Sequence, residues 1–175
     1  MRVVAGELGG RRLTSPRGRA LRPTADRVRE ALFSILGEVA GERVLDLYAG
    51  TGALAIEALS RGASSATLVD TDLRTARLNV DALGLGERCK LVRSDALRHL
   101  RRDEGEYDLV FCDPPYGLAD RLGPQLEPLI APRLSGEGRV IVESGARSPL
   151  ELGLPLLVER RYGDTMIRVH TGPQR

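Results

Sequence analysis

From residue 43 onward, short apolar runs alternate with stretches of helical spacing. The runs at 43–47, 66–69, 90–92, 107–112 and 139–143 predict strands, and the intervals at 53–61 and 72–83 predict helices between them. The run Asp108-Leu109-Val110-Phe111-Cys112 is apolar at every position after the first, as a strand must be when helices cover both its faces. Alternation of this kind predicts an α/β fold built on a doubly wound, mostly parallel sheet. Near the C-terminus the rhythm changes. The segments 156–161 and 165–171 are both strand-like, and only Tyr162-Gly163-Asp164 separates them. No crossover helix fits in that gap, so these two strands must form an antiparallel hairpin.

The N-terminal pattern is different. Residues 2–5 and 11–14 read as two short strands joined by Gly6-Glu7-Leu8-Gly9-Gly10, and Ser15-Pro16-Arg17-Gly18-Arg19 as an extended basic loop. A lone hairpin is barely stable in water, so this arm must lean on the main domain. A helix follows, with Thr24 as its N-cap, Asp26 in the favourable first turn, and Val28, Ala31, Leu32 and Ile35 at helical spacing; Gly37 ends it. The expected division is a basic β-hairpin arm over 1–23 and one α/β domain over 24–175.

Composition narrows the class without naming a chemistry. A chain of 175 residues, 42% hydrophobic, is large enough for one compact core. No apolar run approaches a membrane span, and the first residues lack the apolar core of a secretory signal, so the expectation is a cytoplasmic monomer with no membrane contact. Cys89 and Cys112 adjoin apolar strands and read as buried free thiols. His99 and His170 stand alone, without metal-ligand spacing, so no metal is expected. The net charge is only +2, but it is unevenly spread. Arg2, Arg11, Arg12, Arg17, Arg19, Arg22, Arg27 and Arg29 face only Glu7 and Asp26 in the first 29 residues. Because Lys90 is the only lysine, the clustering of these arginines carries more meaning than their identity.

The candidate chemistry begins where the first predicted strand turns into a helix, at Asp46-Leu47-Tyr48-Ala49-Gly50-Thr51-Gly52-Ala53. Gly50 and Gly52 permit a tight turn and close approach of a ligand to the backbone, ahead of a helix N-terminus. Such a loop suits a dinucleotide equally well. Asp46 tilts the choice, because a carboxylate under the loop repels a pyrophosphate and suits an ammonium. Asp70, ending the second strand, can accept from both hydroxyls of a ribose, and Asp95, after the third, from an adenine amino group. Ammonium, diol and adenine are the parts of S-adenosylmethionine. Tyr48 and Ala49 within the loop, and Ala96 beside Asp95, complete the expected pocket.

Asp113-Pro114-Pro115-Tyr116 follows the fourth strand directly. The two prolines hold the chain extended, so that the Asp113 carboxylate and the Pro114 carbonyl can face one point. An exocyclic amino group has two protons to give them. Its lone pair, otherwise delocalised into the base, is then returned to nitrogen for attack on a sulfonium methyl. Tyr116 offers an aromatic face on which an extruded base can stack.

At these residues the sequence resembles the RsmD-type methyltransferases, which make N2-methylguanine in bacterial small-subunit (16S) ribosomal RNA. The shared stretches are Arg22-Pro23-Thr24-Ala25-Asp26-Arg27-Val28-Arg29-Glu30-Ala31-Leu32-Phe33, the glycine loop with Glu57-Ala58-Leu59-Ser60-Arg61-Gly62-Ala63, Asp113-Pro114-Pro115-Tyr116, and Tyr162-Gly163-Asp164-Thr165. The hairpin beginning Arg2-Val3-Val4-Ala5-Gly6 is similar too. The resemblance implies a class I S-adenosylmethionine-dependent methyltransferase, with Asp46, Gly50, Gly52, Asp70 and Asp95 at the cofactor and Asp113 to Tyr116 at the acceptor. It implies an assembling or assembled small subunit as partner, and the basic arm, with Arg2, Arg11, Arg12, Arg17, Arg19 and Arg22, fits such a substrate as a clamp on the RNA backbone. The family often carries glutamate at the end of the second strand, where this chain has Asp70, and Asp72 then becomes a rival for the ribose.

The residues by themselves leave other readings open. Asp-Pro-Pro-Tyr is also the usual form in DNA adenine-N6 methyltransferases, although no separate target-recognition domain is visible. A nicotinamide-dependent oxidoreductase would share the glycine loop but not Asp46 or the tetrapeptide. A non-catalytic RNA-binding protein would not need the tetrapeptide intact.

Overall fold

The computed structural model describes residues 1–15, 23–115 and 119–173. Helix α1 (Pro23–Leu36) precedes the alternation β1 (Arg43–Leu47), α2 (Ala53–Ser60), β2 (Ser65–Asp70), α3 (Arg74–Ala82), β3 (Cys89–Arg93), α4 (Ala96–Leu100) and β4 (Tyr107–Cys112). Helix α5 (Ala119–Ile130), a 3-10 turn (Ala131–Arg133), β5 (Leu134–Gly145), β6 (Leu156–Tyr162) and β7 (Thr165–Thr171) complete the chain. One seven-stranded sheet results, in the order β3-β2-β1-β4-β5-β7-β6. β1 to β5 run parallel, and β7 pairs antiparallel with both β5 and β6. The doubly wound sheet and its terminal hairpin are as the sequence predicts.

The central strands β1 and β4 are buried on both faces, and alternate residues serve two cores. Val44, Leu109, Phe111, Ile141 and Ile167 pack with residues of α1, α2 and α3; Leu45, Leu47, Val110, Cys112 and Val142 pack with α4 and α5. The strand order reverses between β1 and β4, because the helix after each lies on the opposite face. Such a switch point opens a crevice at the carboxyl ends of the two strands. The glycine loop after β1 and Asp113-Pro114-Pro115 after β4 lie at these ends. Topology, and not sequence distance, joins them.

Three local expectations change. α1 starts at Pro23, so Thr24 lies inside the helix and is not its N-cap; the fixed φ of proline is preorganised for a first turn. Gly37 does end the helix, with φ 72° and its N–H donating to the Phe33 carbonyl at 3.1 Å. The N-terminal segments form one bridge, Arg2 to Arg12, flanked by bonds from Val3 N to Arg11 O and from Leu13 N to Met1 O, each 3.0 Å, in place of two regular strands. α3 is shorter than residues 72–83, and Asp72 stands before its capping position, Leu73.

The hairpin leans on the domain through its backbone. The N–H groups of Val4 and Ala5 donate to the fully buried Glu57 carboxylate at 2.7 and 3.0 Å. Glu57 also meets Arg61 at 2.8 Å and Arg29 at 3.5 Å. Arg29, itself buried, donates to the Arg2 carbonyl and to Asp26. Arg29 therefore leaves the exposed basic cluster that the sequence suggested: its charge is consumed inside the fold. Cys112 is a buried free thiol, and Cys89 is free but only half-buried. Among the described residues no helix is long and apolar enough to cross a membrane.

Candidate active site

The loop after β1 owes its shape to three residues with positive φ: Tyr48 at 62°, Gly50 at 55° and Gly52 at 76°. Gly52 is forced by packing, since a Cβ there would lie 2.8 Å from the Leu68 side chain. At Gly50 the space a Cβ would fill is open apart from the Tyr48 carbonyl at 3.9 Å, so a ligand can reach the backbone. Ala49 N donates to Val69 O at 3.1 Å and ties the loop to β2. Tyr48 is a non-glycine residue in a region that side chains disfavour, and such strain persists only where the surroundings fix it.

Asp46 lies beneath this loop, 2% exposed, and its carboxylate accepts from Ala55 N at 3.2 Å. Burial pushes its pKa up to about 7; the Ala55 bond opposes that rise and the nearby Asp70 charge adds to it. A desolvated carboxylate of this kind gains most from a cation beside it.

Asp70 reaches over the loop from the end of β2. One oxygen accepts from Gly50 N at 2.8 Å, the other from Asp72 N at 3.1 Å and the Thr71 hydroxyl at 3.3 Å. Asp72 turns away. It accepts from Arg74 N at 3.1 Å and pairs with the Arg74 guanidinium at 2.6 Å, which holds its carboxyl down at about 2. Of the two rivals only Asp70 touches the glycine loop. Asp95 is the N-cap of α4, accepting from Arg98 N at 3.0 Å, and is otherwise exposed; Ala96 is buried behind it. Asp95 lies close enough to raise the Tyr48 phenol, after burial and Cys112.

At the end of β4 the register pairs Leu47 with Cys112, so Asp113 leaves its strand beside Tyr48. Burial raises the Cys112 thiol first, with Asp113 and Asp46 adding to the rise. Those two carboxylates therefore lie near the same sulfur. Asp113 is exposed, Pro114 buried and Pro115 exposed; Tyr116 lies outside the described residues. A depression of about 680 Å³ lined by Ala131, Leu134 and Gly172 sits near the start of β5, away from all of these groups.

The arginine clamp is divided. Arg2, Arg11 and Arg12 are exposed on the hairpin, whereas Arg17, Arg19 and Arg22 lie outside the described residues. The hairpin turn is held at the far end of α2, where Glu7 N donates to Ser60 O at 2.8 Å and Leu8 N to the Ser60 hydroxyl at 3.0 Å. From there the chain climbs to Thr14, whose N–H donates to Asn79 Oδ1 at 2.7 Å. Asn79 Nδ2 donates in turn to Thr14 O at 3.1 Å and to Thr51 O, in the glycine loop, at 2.9 Å. Sequence reasoning passed over Asn79 and Glu57, which join segments far apart in the chain. It also passed over Glu143, at the carboxyl end of β5, whose only signal was a charge ending an apolar run. Among the described residues no group of three or more His, Cys, Asp or Glu could hold a metal ion.

Comparison with known proteins joins this geometry to a family. The profile described as conserved hypothetical protein 95 matches residues 1–171. Ribosomal RNA small subunit methyltransferase D of Escherichia coli K12 is 40% identical over 120 residues, 66% of this chain and 60% of that protein. YlbH of Bacillus subtilis is 41% identical over 124 residues, 66% of this chain and 67% of that one. The solved structure of yhhF from Escherichia coli superposes with a TM-score of 0.85 at 32% identity, covering 100% of this chain and 99% of that one. The architecture is the class I S-adenosylmethionine-dependent methyltransferase fold.

Proposed function

The chain belongs to the family described as conserved hypothetical protein 95, and from that premise we propose that it methylates the exocyclic N2 amino group of a guanine in small-subunit (16S) ribosomal RNA, using S-adenosylmethionine in the cytoplasm. The carrying observation is the strand register at the switch point, which brings Asp113 and Pro114 off β4 beside the loop that holds Asp46 and Asp70.

The residues present fit the cofactor. Asp46 would take its ammonium, Asp70 its ribose hydroxyls and Asp95 its adenine amino group, while the open space at Gly50 admits it to the loop. When bound, S-adenosylmethionine supplies a methyl group carried on a sulfonium. Asp113 and the Pro114 carbonyl would accept hydrogen bonds from the two N–H groups of the amino group, favour its lone pair on nitrogen and hold that nitrogen in line; positioning and local charge account for the rate. Asp113 then carries the proton released by the amino group to solvent, for which its exposure suits it. Pro115 keeps the backbone extended, and Tyr116 stacks on the base. Arg2, Arg11, Arg12, Arg17, Arg19 and Arg22 hold phosphates without reading sequence.

The names of the relatives favour ribosomal RNA over the rival acceptor, adenine in DNA. Purified protein incubated with labelled S-adenosylmethionine and unmodified small subunits should yield N2-methylguanosine on nucleoside digestion. Label appearing in N6-methyladenosine overturns the assignment.

A further inference from the structure

The tetrapeptide by itself does not distinguish guanine from adenine, since both bases present an exocyclic amino group. A second carboxylate stands beside it. In β5, Val142 pairs with Cys112, so Glu143 is the next residue along its strand as Asp113 is along the neighbouring one. Glu143 shares a face with Ile141 and is paired across β7 with Ile167, both buried in the core under α1. It is half-buried, and burial raises its carboxyl above the usual range. Among the described residues no backbone or side-chain donor bonds to it and no arginine pairs with it, unlike the buried Glu57. A partly desolvated carboxylate without a donor is costly to keep, and a ligand that brings N–H groups removes that cost.

We propose that Glu143 is the residue that selects guanine, by accepting a hydrogen bond from the base's N1–H while Asp113 and Pro114 hold the neighbouring N2 amino group. This rests on the reaction proposed above. Adjacent parallel strands lie about 4.8 Å apart, a spacing that lets two acceptors address two neighbouring donors on one base edge. Adenine presents a bare N1 acceptor at the corresponding position, and a carboxylate repels it. The two ends of the same edge are thus read separately, the reacting nitrogen by Asp113 and the ring proton by Glu143.

The test uses small subunits reconstituted with RNA that carries either guanine or 2-aminopurine at the position the wild-type protein methylates. 2-Aminopurine keeps the N2 amino group but has an unprotonated N1. Wild-type protein should prefer guanine by about 100-fold or more in kcat/KM, as a site does when the wrong base leaves its acceptor unpaired. Glu143→Gln, whose amide can donate to N1, should reduce that preference to about tenfold or less, with cofactor affinity and melting temperature unchanged. If Glu143→Gln slows both substrates equally, or keeps the full preference, the assignment of Glu143 is wrong while the proposed reaction stands. If wild-type protein methylates no guanine, both fall together.

Discussion

Asp46 lies buried beneath the glycine loop, where its carboxylate accepts from Ala55 N. Its carboxyl moves from an ordinary 3.8 to about 7 because it is buried, so the folded protein holds the proton more tightly than the unfolded chain. Stability from this group is therefore full below about pH 4 and is lost as the pH rises to about 7, at up to about 1.4 kcal/mol per pH unit. An ammonium ligand reverses the preference. Cofactor affinity, measured by calorimetry between pH 6 and 8, should strengthen about tenfold as Asp46 ionises. Asp46→Asn should bind more weakly and with a flat pH profile; an unchanged profile would remove Asp46 from the ammonium site. At the acceptor, Asp113→Ala should cut single-turnover methyl transfer by about 100-fold or more, in the range for loss of one preorganised polar group. Cofactor affinity should change by no more than a few-fold, because Asp46, Asp70 and Asp95 are intact. Normal turnover in that variant would refute the role given to the tetrapeptide.

Among the elements, the N-terminal hairpin and α5 depart furthest from what their sequences suggest in isolation. The hairpin is bound to α1 and α2 through Glu57 and to the glycine loop through Asn79. Truncation of the arm would therefore disturb the core and the glycine loop together, and would not isolate RNA binding. Glu57→Ala leaves buried Arg29 with Asp26 in place of two carboxylates and strips two backbone N–H groups of their acceptors; about 3–5 kcal/mol should be lost. In a domain of this size that is a fall of about 6–20 °C in melting temperature. α5 holds Gly123, Pro124 and Pro128, residues that ordinarily argue against a helix. Leu126 and Ile130, both fully buried, fix it against the sheet. Helix propensity alone predicts that Gly123→Ala stabilises by up to about 1 kcal/mol. The added Cβ would lie 2.0 Å from the Glu151 carbonyl oxygen, however, so the close approach decides the sign. Destabilisation by about 1–3 kcal/mol is expected in chemical denaturation, the usual range for overpacking.

Across the whole molecule, charge is sorted by location. Arg29, Arg43, Arg133 and Arg139 are engaged by carboxylates at the interior or at the amino ends of the strands. Arg11 and Arg12 are exposed on the hairpin and take part in none of the ion pairs among the described residues. Replacing both by alanine should lower the slope of log affinity against log salt for small subunits by about 0.7–0.9 for each phosphate that is no longer neutralised. Melting temperature and cofactor affinity should stay the same. A salt slope equal to that of the wild type would place the RNA-binding surface elsewhere.

The sequence by itself determined the sheet and the parts of the site that are local in the chain. Periodicity marked the five parallel strands, the short Tyr162-Gly163-Asp164 gap dictated the antiparallel finish, and glycine and proline placed the two loops at strand ends. These signals are legible because turn geometry and strand alternation are imposed by neighbours in sequence. Tertiary structure decided the rest. It turned Asp72 towards Arg74 and left Asp70 on the loop, withdrew Arg29 into a buried ion pair, made a helix of a segment with two prolines, and set Glu143 beside Asp113. Each of these depends on how the folded chain packs, where burial and strand register outweigh local propensity, and no spacing along the chain encodes them.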